Sequence, residues 1–144
     1  MAKKFAFIGA GSSVFTRNLV RDLLTFPAFA DAEIALMDIH PERLALITRV
    51  VEKINNAMGG GAKITSTLDR KTALEGADGV LCTVFNGDID IWRHDIEIPK
   101  KYGVDTNIGD TRSVSGIFRA LRNIPLMLDI CRDIERYCPD AVFL

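Results

Sequence analysis

The sequence predicts an α/β fold, a doubly wound parallel sheet covered by helices, and three observations carry this prediction. Short apolar runs alternate with amphipathic segments along the chain in the order β-α-β-α-β-α-β. The apolar runs are almost uninterrupted, as is typical of strands that are buried on both faces. No repeat, low-complexity tract or linker divides the 144 residues, so a single domain over 1–144 is expected.

The first half of the chain gives three strands and two helices. Lys4 to Ile8 predicts a buried strand, and a helix follows from about Ser13 to Leu24, closed by the Phe26-Pro27 pair. "AEIALMDI" is a second strand that ends in an acid. "HPERLALITRVVEKINNAM" has its apolar residues at the helical period, with Pro41 in the first turn. Gly59 to Gly61 break that helix, and "AKITSTL" is the third strand.

The second half continues the alternation. "DRKTALEGA" predicts a brief helix and "DGVLCTVF" a fourth buried strand. "IWRHDIEIPKKYG" is expected to be helical up to Pro99, and a long helix runs from about Ser115 to Tyr137. "AVFL" begins a fifth strand. Because the sequence stops at Leu144 within an apolar strand, we expect it to be a truncated piece of a longer protein.

Composition excludes several classes of function. A net charge of −1 and a pI of about 6.1 give no electrostatic reason to expect nucleic acid or an anionic membrane as partner. No apolar run reaches the roughly 20 residues of a membrane span. Three cysteines, an odd number without a paired pattern, fit a reducing cytoplasm and do not form a metal-binding motif.

The segment "GAGSSV" lies between the first strand and the first helix, the context that a dinucleotide-binding turn requires. Gly9 permits a tight turn, and Gly11 lets the backbone approach a pyrophosphate at the helix N-terminus. Ser12 and Ser13 supply hydroxyl donors to that pyrophosphate or cap the helix. Val14 replaces the third glycine of the usual fingerprint. The pattern predicts a Rossmann-like NAD-binding domain similar to that of lactate and malate dehydrogenases.

Asp38 follows the second strand, where a carboxylate can accept both ribose hydroxyls of an adenosine. It would repel a 2′-phosphate, so NAD is expected rather than NADP. The alternative role of Asp38 is to cap the helix that starts near Pro41, and one side chain can do both. Asn86, after the fourth strand, stands where the sheet edge meets a cofactor, or forms a simple turn.

Groups capable of chemistry cluster after the fourth strand. The helix with Arg93, His94, Asp95 and Glu97 is expected to be a solvated face, with Asp88, Asp90 and Asp95 turned to water. The loop "NIGDTRSVSG" precedes a helix beside the expected nicotinamide position, although Ser113 or Ser115 could simply cap that helix.

Several longer motifs together resemble glycoside hydrolase family 4. They are "FIGAGSSVF", "ALMDIHPERL", "DIEIPKKYGV", "IGDTRSVSGIFRALRNIP" and "ERYCPDAVFL". Among the branches of the family, these motifs are most similar to the α-galactosidases, with the α-glucosidases next. The resemblance implies a hydrolase of α-glycosides that keeps NAD bound and uses Mn²⁺. It implies hydride transfer from C3 of the sugar, loss of the C2 proton, elimination of the glycosidic bond, addition of water and return of the hydride.

The resemblance also assigns residues. It implies NAD contacts for Gly9, Gly11, Ser12, Ser13, Asp38 and Asn86. It places Asp110 and Thr111 beside the sugar, and Arg93 near the position of an arginine that binds sugar or phosphate in some members. The catalytic residues and metal ligands of the family are expected beyond residue 144, so the segment alone should be inactive, and the full-length enzyme a homo-oligomer.

Two alternatives remain open from the residues themselves. One is the domain of a dehydrogenase of the lactate/malate type, and the other is a non-catalytic NAD-binding module.

Overall fold

The computed structural model describes residues 2–87, 89–106, 109 and 111–144. Strands and helices alternate up to the fourth strand and two helices then follow, as predicted; a short 3-10 helix at Pro27–Phe29 lies between the first helix and the second strand. The elements are β1 (Lys4–Ile8), α1 (Ser13–Leu24), β2 (Glu33–Met37), α2 (Pro41–Ala57), β3 (Lys63–Thr67), α3 (Arg70–Leu74), β4 (Gly79–Cys82), α4 (Ile89–Lys100), α5 (Val114–Tyr137) and β5 (Val142–Phe143).

The five strands form one parallel sheet in the order β3-β2-β1-β4-β5. In the centre, Ala6 of β1 pairs with Ala35 of β2 on one side and with Val80 of β4 on the other. The chain reverses its direction of winding between β1 and β4, and this switch point is where open α/β sheets bind ligands. The predicted Rossmann-like fold class is confirmed.

A core of apolar side chains joins the sheet to α1 and α2. Phe7 and Leu36 from the two central strands pack in one cluster with Val20 of α1 and Ile47 and Val51 of α2, all at most 1% exposed. Burying one such side chain stabilises the fold by about 1.5–3 kcal/mol. This packing fixes the ends of β1 and β2, from which the loops of interest emerge.

The glycine run that ends α2 is held by a side chain that the sequence pattern did not single out. Asn55 is 8% exposed, its Nδ2 donates to the carbonyl of Ala62 at 2.8 Å, and its Oδ1 accepts from the Ala62 N–H at 3.1 Å. Gly59 and Gly60 adopt positive φ, which glycine tolerates best. The predicted break is therefore confirmed, and Asn55 closes the turn on both sides.

The chain divides into two compact units. Residues 1–84 and 133–144 form the first, which contains the whole sheet, and residues 85–132 form the second. Within the described residues, no helix is both long and apolar enough to cross a membrane.

The second unit contains a buried ion pair that corrects the expectation of a solvated acidic set. Asp95 of α4 is 3% exposed, and its Oδ1 accepts from Nη1 of Arg122 on α5 at 2.6 Å while Nη2 reaches Oδ2. The Ser115 hydroxyl donates to the backbone carbonyl of Asp95 at 2.8 Å. The expectation that Asp95 faces water is wrong, because α5 covers this side of α4 with a guanidinium that neutralises it.

Candidate nucleotide site

Backbone hydrogen bonds fasten the turn after β1 to the end of β2. The N–H groups of Gly9 and Ala10 both donate to the carbonyl of Met37, at 3.0 and 2.9 Å. Gly9 has a φ of +83°, and a Cβ there would lie 2.8 Å from the carbonyl oxygen of Thr83. The predicted tight turn therefore requires a glycine at position 9, both because φ is positive and because there is no room for a Cβ.

Gly11 brings the backbone against a carboxylate. Its N–H donates to Oδ2 of Asp38 at 2.7 Å. A Cβ on Gly11 would lie 2.6 Å from that oxygen and 3.0 Å from Cβ of Arg43, closer than real Cβ contacts allow. Any larger residue would push Asp38 away, so the absence of a side chain at position 11 is what lets the two loops meet.

Asp38 follows β2 directly and is only 7% exposed. Its second oxygen, Oδ1, accepts from the N–H of His40 at 2.9 Å, which organises the entry into α2. His40 is itself the N-cap residue of α2, so Asp38 holds the residue before the helix and does not act as the helix cap considered for it. Each carboxylate oxygen carries two acceptor lone pairs, so these bonds leave capacity for hydroxyl donors. The ribose contact stays a prediction.

The first turn of α1 has the properties of an anion site. Ser12 precedes the helix and makes no capping hydrogen bond with its side chain, and Ser13 is exposed. The first N–H groups of an α-helix have no partner within the helix, and they carry its partial positive charge. This geometry fits a pyrophosphate, with Gly11 leaving the backbone uncovered.

Val14, the departure from the fingerprint, has little structural consequence. Its side chain is 59% exposed, while the buried face of α1 is formed by Thr16, Val20 and Leu24. Close helix–strand packing at position 14, which the third glycine normally permits, is not needed here.

Thr83 is a residue of this site that the sequence pattern did not reveal. Its N–H donates to the Ile8 carbonyl at 2.9 Å and its hydroxyl to the Gly9 carbonyl at 3.0 Å. A threonine directly after a buried strand is the only signal the sequence offers for this contact.

The other predicted site residues belong to the second unit or lie outside the described residues. Nδ2 of Asn86 donates to the carbonyl of Arg122 at 2.7 Å. Arg93 is 71% exposed at the side chain, and its Nε lies 2.7 Å from Oε1 of Glu97 one helical turn away. This pairing raises the pKa of Arg93 and lowers the pKa of Glu97. Asp110 and Asp88 lie outside the described residues.

The loop before α5 shows the capping alternative at Ser113. Its Oγ accepts from the N–H of Ser115 at 3.2 Å, and its carbonyl accepts from the N–H of Ile117 at 3.0 Å. Thr111 is exposed, and its backbone lies so close to Gly116 that a Cβ there would be 2.7 Å from the Thr111 carbonyl carbon. Whether Asn86, Arg93 and Thr111 contact ligands stays a prediction.

Metal ligands are a separate question. Over the residues described, no group of three or more His, Cys, Asp or Glu side chains could hold a metal ion. The described part of the chain therefore does not fit a manganese site.

The sheet order, the glycine turn and the carboxylate after β2 define a domain of the Rossmann-like class. Residues 4–144 match the family described as family 4 glycosyl hydrolase, and the chain belongs to this family. It is 43% identical over 142 residues to an α-galactosidase of Rhizobium meliloti (98% of this chain, 29% of that protein). It is 42% identical over 143 residues to an α-galactosidase of Bacillus subtilis (99% of this chain, 33% of that protein).

A solved structure shows the same architecture. The 6-phospho-β-glucosidase of Thermotoga maritima, determined with manganese, NAD⁺ and glucose-6-phosphate, aligns with a TM-score of 0.84 and 25% identity, over 98% of this chain and 33% of that one. The chain thus spans about a third of the length of the proteins it matches.

Proposed function

We propose that the chain is the NAD-binding portion of a family 4 glycosidase that hydrolyses α-galactosides. The hydrogen bond between the Gly11 N–H and Asp38 carries the cofactor part of this proposal, because it places a bare backbone turn, a helix N-terminus and a carboxylate together at the switch point of the sheet. The two α-galactosidase relatives support the substrate class.

Each residue of the turn has a defined task in this proposal. The first turn of α1, with the Ser12 and Ser13 hydroxyls, binds the pyrophosphate. Gly9 and Gly11 keep the backbone open to it. Asp38, held in place by the N–H groups of Gly11 and His40, accepts the ribose hydroxyls and disfavours a 2′-phosphate by charge repulsion.

When bound, NAD would supply a reversible hydride acceptor for C3 of the sugar. The ketone formed at C3 acidifies the C2 proton and so permits elimination of the glycosidic bond, and return of the hydride leaves no net redox change. This chain's contribution is to hold and orient the dinucleotide. For the sugar side we propose Asp110, Thr111 and Arg93 as substrate contacts and Asn86 as a further cofactor contact.

Calorimetric titration of the chain with NAD and NADP tests the cofactor assignment. We expect clear preference for NAD. Asp38→Ala should weaken NAD binding by about tenfold or more, the value of a lost hydrogen bond to a charged group, and narrow the preference. Asp22→Ala, at an exposed acid of α1, is the matched control. Equal or tighter binding of NADP to the unmodified chain would refute the assignment.

The glycosidase assignment is tested on a longer form of the protein that turns over a nitrophenyl α-galactoside. We expect activity to require NAD, and product formed in heavy water to carry deuterium at C2. Full activity after NAD is stripped, with no deuterium at C2, is the outcome expected of a two-carboxylate glycosidase and would overturn the mechanism.

A further inference from the structure

Arg43 is an exposed arginine in the first turn of α2 whose position lacks a local structural explanation. In the part of the chain that the structure describes, no hydrogen bond or ion pair engages its guanidinium. Its charge is also opposed by the helix dipole, because the N-terminal end of a helix carries a partial positive charge. Local helix stability therefore does not account for an arginine at this position.

The side chain of Arg43 starts beside the candidate nucleotide site. A Cβ built on Gly11 would meet Asp38 Oδ2 at 2.6 Å and Arg43 Cβ at 3.0 Å, so all three groups converge on one point. Ile39, the residue after Asp38, is 74% exposed in the same turn. A planar cation and an exposed apolar side chain thus flank the carboxylate.

We propose that the guanidinium of Arg43 stacks on the adenine ring of the bound dinucleotide, with Ile39 as the apolar contact beside it. This inference rests on the proposed function, which puts the ribose at Asp38, the carboxylate that these two side chains flank. A guanidinium suits this role: it is planar, weakly hydrated and attracted to aromatic faces.

The test compares three variants by calorimetric titration with NAD and with ADP-ribose. Arg43→Gln removes the cation, Arg43→Lys keeps the charge but not the plane, and Arg49→Gln is a matched control at another exposed arginine of α2. We expect Arg43→Gln to weaken the binding of both ligands by a factor of about five. Arg43→Lys should weaken it by a smaller factor, because lysine keeps the charge but not the stacking plane, and Arg49→Gln should leave it unchanged. Urea unfolding of each variant verifies that α2 is intact.

The outcomes separate the inference from the function on which it rests. If the unmodified chain binds NAD but Arg43→Gln behaves as Arg49→Gln does, Arg43 does not touch the cofactor and the inference fails alone. If Arg43→Lys retains full affinity, the side chain acts only as a charge and stacking is refuted. Failure of the unmodified chain to bind NAD would overturn both.

Discussion

Replacing Asp38 by asparagine should destabilise the protein even without a ligand. The carboxylate accepts from two backbone N–H groups, of Gly11 at 2.7 Å and of His40 at 2.9 Å, and is only 7% exposed. Asparagine has one acceptor oxygen and one NH₂ group, so at most one of these N–H groups keeps its partner. The other then faces a donor, with little access for water to replace the lost bond.

The expected loss follows from the type of hydrogen bond. A bond to a charged group contributes about 1.5–3 kcal/mol, and a buried unpaired donor costs a similar amount. We therefore expect Asp38→Asn to lower the free energy of unfolding by about 2 kcal/mol. Asp38→Ala, which removes both acceptors, should lower it by about 3–4 kcal/mol.

Urea unfolding followed by circular dichroism measures this difference, and the m-value should not change. The matched control is Asp22→Asn on α1, where the side chain is 62% exposed and pairs with its neighbour Arg21. It should shift stability by no more than about 0.5 kcal/mol. If Asp38→Asn and Asp22→Asn change the free energy of unfolding by the same amount within that margin, the two hydrogen bonds from the backbone to Asp38 do not stabilise the turn.

Three further predictions concern other parts of the chain. Asp95→Asn should cost about 2 kcal/mol, because it leaves the Arg122 guanidinium without its buried counter-ion; an unchanged urea midpoint would contradict this. The hydrogen bond from Lys3 lowers the pKa of Asp78. A carboxyl group with a lowered pKa stabilises the folded protein at pH values above its unfolded-state pKa, and this stabilisation is lost as the pH falls through its folded-state pKa. The free energy of unfolding of Asp78→Asn should therefore vary less with pH on the acid side than that of the unmodified chain. Burial raises the pKa of the Cys138 thiol, which lowers the fraction of reactive thiolate. Among the three cysteines, Cys138 should therefore react most slowly with iodoacetamide in the folded protein, and equal rates in the unfolded protein are the control.

Much of the fold follows from local patterns. The strands β1, β2 and β4 are short, mainly apolar runs, and α1 and α2 each show an apolar period, so these two helices begin and end within a residue or two of the expected positions. The edge strand β3, with the sequence KITST, is mostly polar and partly exposed. The turn at Gly9 and Gly11 and the acid after β2 are also readable, because a tight turn and a strand end constrain the residue types directly.

The helix α4 shows where such patterns stop being informative. Asp95 lies among charged residues and was expected in water, yet it is 3% exposed and paired with Arg122, which is 27 residues later. Periodicity reports the faces of a single helix. It carries no information on which cation from another helix will compensate a buried carboxylate.

The candidate site divides in the same way. The sequence by itself determined the alternation of strands and helices, the glycine turn after β1 and the carboxylate after β2, because these depend on backbone conformation and on neighbours in the chain. Only the tertiary structure brought Gly11, Asp38 and Arg43 to one point and gave both oxygens of Asp38 their backbone donors. The physical reason is that parallel pairing of β1 and β2 sets two loops side by side, and contacts between loops 27 residues apart depend on that register rather than on any local preference.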